Sequence, residues 1–211
     1  MKNINLFLDF SLEEKDELLR LLSAKEQKYN KNDVIIAPSS VVESFGVLIK
    51  GSAAAYQMDK YGKEILLSVV QEGNCFATSL AMLRAQSPVM VTAAEDSLVL
   101  WLNIEPLKNF KTELLKRLFI NFSFLLAQDV MRMNERIRIA AQPSIKKKLL
   151  GLLELYQQEK GEEFLVPMDR SVMAAYIGAD RSALSRVISK MQQEKIISCN
   201  KNRFCILKEP F

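Results

Sequence analysis

The chain has 211 residues, of which 49% are hydrophobic and none is histidine. That length suits one or two domains with real cores, and the missing histidine excludes His-ligated haem, most catalytic zinc sites and histidine-based general base catalysis. The net charge of +4 is unevenly placed: residues 1–139 hold 17 Lys+Arg against 17 Asp+Glu, whereas residues 140–211 hold 12 against 8. An electrostatic partner is therefore expected for the C-terminal part. The cysteines, Cys75, Cys199 and Cys205, show neither CxxC spacing nor a cluster. One chain cannot supply the roughly four thiolates of an iron–sulfur site, and these thiols read as reduced ones in a cytoplasmic protein. Charges break up the N-terminus, so no signal peptide is read there. The most apolar run, 118–127, is too short to span a bilayer. No metal and no cofactor are expected.

In chain order, Ser11 is an N-cap for a short helix ending at Leu22, with Leu12, Leu18, Leu19 and Leu22 on one face. From Val34 the pattern changes to short strands, at 34–36, 45–49, 52–57, 65–70, 89–93 and 98–103. Gly51, the stretch 59–62, and Gly73 with Asn74 supply the turns. Strands this short and close predict a small barrel or sandwich. Residues 105–139, with Pro106 near the start, predict a long helix of about 50 Å at ~1.5 Å per residue. Leu107, Phe110, Leu114, Leu118, Phe122 and Leu125 form one apolar stripe. Leu126, Val130, Met133 and Ile137 form its neighbour. Two stripes call for two partners, the chain's own β-domain and the same helix of a second copy; a single broad core-facing stripe in a monomer is the alternative. Gln142, Pro143 and Ser144 make a hinge, and a further helix covers 145–158.

The stretch 169–191 reads as a helix-turn-helix. Asp169 caps a first helix carrying Val172, Met173, Ala174 and Ile177, and Gly178 ends it. Asp180 caps a second helix with Leu184, Val187, Ile188 and Met191 on one face. Its other face shows Arg181, Ser182, Ser185, Arg186, Ser189 and Lys190, with no carboxylate after the cap. Cations and hydroxyls suit the acceptors of a major groove and its phosphates. A plain helical hairpin with a solvated face fits the same spacing. The next residues favour the groove-reading helix: 195–207 predicts two strands around an Asn-Lys-Asn turn, a wing with Lys201 and Arg203 near its tip.

The layout resembles the Crp/Fnr family of bacterial transcription regulators over nearly its full length. Residues 45–76, with Gly51, Gly62 and Gly73, resemble the family's cyclic-nucleotide-binding-type β-roll. Residues 134–153 resemble the end of its dimer helix, the hinge and the next helix, and 166–197 its DNA-binding unit. The resemblance implies an α+β fold: a β-roll sensor over 1–104, a dimerisation helix over 105–140 and a winged helix-turn-helix over 141–211. It implies that Arg186 is the guanine-reading arginine, with Ser185 before it as in the Fnr-like branch and Arg181 a cation used by some members. Many members have a glutamate at Ser182, so the usual target sequence does not carry over. Ser171 completes the candidate DNA contacts.

The effector positions depart from the cyclic-nucleotide-binding members. Their Gly-Glu pair for the ribose corresponds to Ala77-Thr78, and their Arg-Ser pair for the phosphate to Ser87-Pro88. Serine cannot replace a bidentate arginine. The candidate lining is Cys75, Phe76, Thr78, Leu80, Met82, Arg84, Ser87 and Val89, with Met133 and Asn134 from the long helix. Arg84 reads either as a substitute cation or as a surface loop residue. Cyclic AMP is not expected as effector.

The reading is a homodimeric DNA-binding regulator, not an enzyme, because no nucleophile–base pair, metal constellation or phosphate loop is present. Its partners are a near-palindromic duplex, a second copy of itself, an unidentified small molecule if any, and RNA polymerase if it activates; no membrane is expected. The alternative is a small-molecule-binding module with a weakened DNA-binding half.

Overall fold

In the computed structural model, which describes residues 5–58 and 64–208, a 3-10 turn (Asn5–Phe7) leads into helix α1 (Leu12–Leu21). A reciprocal capping box starts that helix: the Ser11 hydroxyl accepts from Glu14 N at 3.1 Å, and the Glu14 carboxylate accepts from Ser11 N at 2.8 Å. Leu18 and Leu22 are fully buried, but Leu12 is 80% exposed. Leu12 does not share their face: six residues at 100° each set it about 120° round the helix from Leu18.

Eight strands and one helix come next: β1 (Lys25–Tyr29), β2 (Val34–Ile36), β3 (Ser44–Lys50), β4 (Ser52–Met58), β5 (Glu64–Gln71), β6 (Cys75–Phe76), α2 (Thr78–Leu83), β7 (Met90–Ala93) and β8 (Ser97–Asn103). They form two four-stranded sheets, ordered β1-β8-β3-β6 and β2-β7-β4-β5, and every pairing is antiparallel. All six strands expected from the sequence are present. The turn expected at 59–62 lies outside the described residues. Strand β1, helix α2 and the two-residue β6 carry no usable periodicity. In β1 only Tyr29 is buried, because the strand lies at a sheet edge and is held by its ladder to β8.

The long helix expected over 105–139 is two helices, α3 (Glu105–Asn109) and α4 (Glu113–Ala140). Phe110 adopts a left-handed conformation (φ 43°) that closes α3, and its ring meets Phe119 edge-on at 4.8 Å. The Thr112 hydroxyl then accepts from Leu115 N at 3.2 Å and starts α4 afresh. Phe110 is 40% exposed and so leaves the buried stripe. With 28 residues, α4 is about 42 Å long. Leu115, Leu118 and Phe122 are buried on it, and Phe122 packs on Phe45 of β3 at 5.2 Å.

After the Gln142–Ser144 interruption come α5 (Ile145–Lys160), β9 (Glu163–Leu165), α6 (Arg170–Tyr176), α7 (Arg181–Gln193), β10 (Ile197–Asn200) and β11 (Arg203–Ile206). The three strands form one antiparallel sheet, β10-β11-β9. The chain divides into two compact units, Met1–Val130 and Met131–Phe211. The first has its core between the sheets and under α1 and α4. The second has a separate core of Ile139, Leu149, Leu153, Phe164, Met173, Leu184, Ile188 and Phe204. Among the described residues no helix is long and apolar enough to cross a membrane.

Candidate DNA interface and effector region

Two aspartates set the geometry of the helix-turn-helix. Asp169 Oδ1 accepts from Ser171 N at 2.7 Å and Val172 N at 2.9 Å. Asp180 Oδ1 accepts from Ser182 N at 2.8 Å and Ala183 N at 3.0 Å. Each satisfies two of the N–H groups that a helix start leaves unpaired. Gly178 between them has φ 62°, a left-handed conformation that glycine adopts without strain. Helix α7 buries Leu184, Ile188 and Met191, with Val187 half-buried. Arg181, Ser182, Ser185, Arg186, Ser189 and Lys190 are all exposed on it, and Ser171 is exposed on α6. Asp180 and Glu194 are acidic groups beside this face. Glu194 pairs with Lys146 at 2.8 Å and reaches Lys190 at 3.9 Å, so the charge of Lys190 is partly compensated.

The wing turn is at Lys201 and Asn202, between β10 and β11, with Lys201 at φ 54°. Lys201 and Arg203 are exposed. Sequence reasoning missed Arg170, the residue that holds this wing. Its guanidinium donates to Lys201 O at 2.8 Å and to Cys199 Sγ at 2.9 Å, and lies 5.1 Å from the centre of the Phe204 ring. The first residue of α6 thereby ties the wing to the helix-turn-helix. Arg136 was also missed. Its Nε donates to Tyr176 O at 3.3 Å, and its guanidinium sits 5.2 Å from the Tyr176 ring. Nothing in the spacing of either arginine marks such a contact, which depends on strands and helices meeting in three dimensions.

In the first unit, register places Trp101, Gly46 and Phe76 in one row across β8, β3 and β6. Phe76 lies over Gly46, where an added Cβ would come within 2.3 Å of its ring. It meets Trp101 edge-on at 5.5 Å. Trp101 Nε1 donates to the Tyr29 hydroxyl at 3.1 Å. Cys75 points to the other face of this sheet; burial, and then the negative charge of Asp129, push its thiol up to about 12, so it stays protonated. Ala77 is left-handed (φ 58°) and precedes Thr78, which is buried at the start of α2; Leu80 is half-buried. Ser87 is buried, with its hydroxyl donating to Val89 O at 2.7 Å and accepting from Val89 N at 3.3 Å. It spans Pro88 and is spent on that turn. Arg84 is exposed, and its guanidinium pairs with the exposed Glu43 carboxylate. Met133 and Asn134 are exposed on α4.

A model of the Crp-like helix-turn-helix domain matches residues 149–210, and a model of the cyclic nucleotide-binding domain matches residues 26–113. No curated protein sequence matches the chain. Among solved structures, CprK complexed with OCPA is 16% identical, with 91% of this chain and 89% of that chain covered, at a TM-score of 0.74. A mutant of CooA from Carboxydothermus hydrogenoformans is 16% identical over 90% and 86%, at 0.72. The c-di-GMP-responsive global regulator CLP of Xanthomonas campestris is 14% identical over 94% and 100%, at 0.69. At these identities the structural likeness establishes the fold.

The tie made by Arg170 generates a test. Arg170→Met keeps a long apolar stem but leaves the Lys201 carbonyl only the weak Cys199 thiol donor at 3.2 Å, so stability should fall by about 0.5–1.5 kcal/mol. Amide hydrogen exchange across the wing turn should accelerate. Unchanged exchange there would contradict the role assigned to Arg170.

Proposed function

The chain belongs to the Crp/Fnr family of transcription regulators, and on that footing we propose that it acts in the cytoplasm as a homodimeric, sequence-specific DNA-binding regulator whose effector is not cyclic AMP. In this reading, residues 1–104 are the sensor, 105–140, with α3 and α4, the dimerisation region, and 141–211 the DNA-binding part. The carrying observation is the exposed face of α7. Arg181, Ser182, Ser185, Arg186 and Ser189 stand clear of the core that Leu184, Ile188 and Met191 fill. Arg186 reads a guanine, and the flanking wing supplies phosphate contacts through Lys201 and Arg203. Dimerisation is supported by Val130, Met131, Met133 and Ile137, all more than half exposed on α4. Two such subunits put half-site centres about one turn (~34 Å) apart on a near-palindrome. RNA polymerase becomes a partner if the protein activates.

The effector proposal rests on charge. A cyclic phosphate carries a full negative charge, and moving it out of water needs a cation and several donors in exchange. Ser87 is committed to the Val89 backbone, Pro88 has no N–H to offer, and Arg84 pairs with Glu43. Phe76, Leu80 and Val89 suit an apolar or weakly polar ligand, or side-chain filling alone; Cys75, on the opposite face of β6 from Phe76, does not join them.

Two measurements test the reading. In fluorescence anisotropy against a selected operator, Arg186→Ala should remove about 1–3 kcal/mol of discrimination at one position per half-site. Lys201→Ala should instead weaken every sequence alike and reduce the salt slope by about one unit. Identical effects of the two changes would contradict the assigned roles. Calorimetric titration with cyclic AMP should give no saturable heat; binding with one ligand per subunit would overturn the effector reading.

A further inference from the structure

Residues 131–140 of α4 belong to the second unit, so its last turns fold as part of the unit that holds the helix-turn-helix. Two faces of these turns have different surroundings. Met133 and Ile137 are exposed and lie on the stripe assigned above to a second copy. Ile139 stands about 160° round the helix from Ile137, at 100° per residue, and is 1% exposed. Arg136, half-buried, lies between Met133 and Ile139 on the helix circumference.

Gln142, Pro143 and Ser144 interrupt the chain after α4, and two contacts bridge that interruption. Ile139 joins the core of the second unit, where a Cβ added to Gly151 of α5 would meet its side chain at 3.4 Å. Arg136 reaches further, to the end of α6: its Nε donates to Tyr176 O at 3.3 Å and its guanidinium lies 5.2 Å from the Tyr176 ring centre. From there the path to α7 is short and hydrogen-bonded. Gly178 N donates to Ala175 O at 3.2 Å and Ala179 N to Ala174 O at 2.8 Å. Met173 of α6 and Leu184 and Ile188 of α7 fill one core. The turns that carry the exposed stripe are thus held to the helix pair that carries the exposed cations.

In a two-fold dimer, the separation and twist of the two α7 faces depend on how each α7 is held to the seam. One base pair added between half-sites moves them about 3.4 Å apart and turns them by about 35°. A joint free to swing follows that change. A joint held by Arg136 follows it only by giving up the contact with Tyr176.

We propose that Arg136 is a positioning residue that sets which half-site spacing the dimer accepts. This rests on the dimeric DNA-binding reading above and adds spacer-length specificity to it.

The test is fluorescence anisotropy of the full-length protein on its selected palindrome, with the spacer shortened or lengthened by one base pair, and on a single half-site. The variants are Arg136→Ala and Tyr176→Leu, the second of which removes the ring and keeps the carbonyl. The wild type should bind one spacer best and fall off on either side. Arg136→Ala should shrink the penalty for one base pair by about three- to tenfold, the scale of one net hydrogen bond. Its affinity for the single half-site should stay within about twofold of the wild type, whereas a residue needed only for stability lowers binding to every duplex alike. A flat wild-type spacer profile, an unchanged profile in folded Arg136→Ala, or an equal loss on all duplexes overturns the proposal. Where Arg136→Ala does not fold, Tyr176→Leu decides: a smaller spacer penalty supports the proposal and an unchanged one overturns it. Failure of the dimeric reading gives a different result, a wild type that binds the palindrome no better than the half-site, and removes both.

Discussion

Helix α4 is apolar on more of its circumference than the chain covers. Leu115, Leu118 and Phe122 are buried on one side, while Ile120, Phe124, Val130, Met131, Met133 and Ile137 remain between 53% and 69% exposed. Burying a side chain of this size contributes about 1.5–3 kcal/mol, so six left in water are a large unrealised driving force. Val130, Met133 and Ile137 recur at helical spacing on one face, and exposed apolar surface of this kind suits an interaction site. In the proposed dimer a second copy of the same helix would cover it, because an isologous contact presents the same stripe to itself. Under that proposal, the two-fold axis would turn one exposed α7 face into a pair suited to a palindrome.

Within the second unit, the terminal turns of α4 are joined to the helix-turn-helix. The Tyr176 carbonyl ends α6, where helix geometry leaves acceptors unpaired and favours a cation. Arg136 supplies both a donor and a charge there. At the other end of α6, Arg170 grips the wing. The end of α4 and the wing therefore both attach to α6. The two arginines that make these contacts lie outside the exposed face of α7.

Local physics written over short spans was legible in the sequence. Ser11, Asp169 and Asp180 announce their helices as N-caps, Gly178 announces a stop, and apolar alternation marks six of the eight strands in the first unit. The wing was legible from its turn and flanking strands, though not its third strand, β9, whose three residues are too few for a pattern. What escaped depended on tertiary pairing. Strand β1 is polar and exists because β8 pairs with it. The break at Phe110 comes from a ring contact with Phe119 and a cap from Thr112, neither of which apolar spacing encodes. Among candidate site residues, exposure of the α7 face comes from helical periodicity alone. The commitment of Ser87 to its own turn is a property of atoms a few ångströms apart.

Sedimentation equilibrium tests most directly whether the α4 stripe is a seam between two copies. The wild type should sediment as a dimer at micromolar concentration. A Val130→Glu/Met133→Glu variant should sediment as a folded monomer, because both side chains are exposed within the single chain and their replacement leaves its cores intact. That monomer should also lose preference for a palindromic duplex over a single half-site. A wild type that sediments as a monomer, or a variant that stays dimeric, would contradict the account.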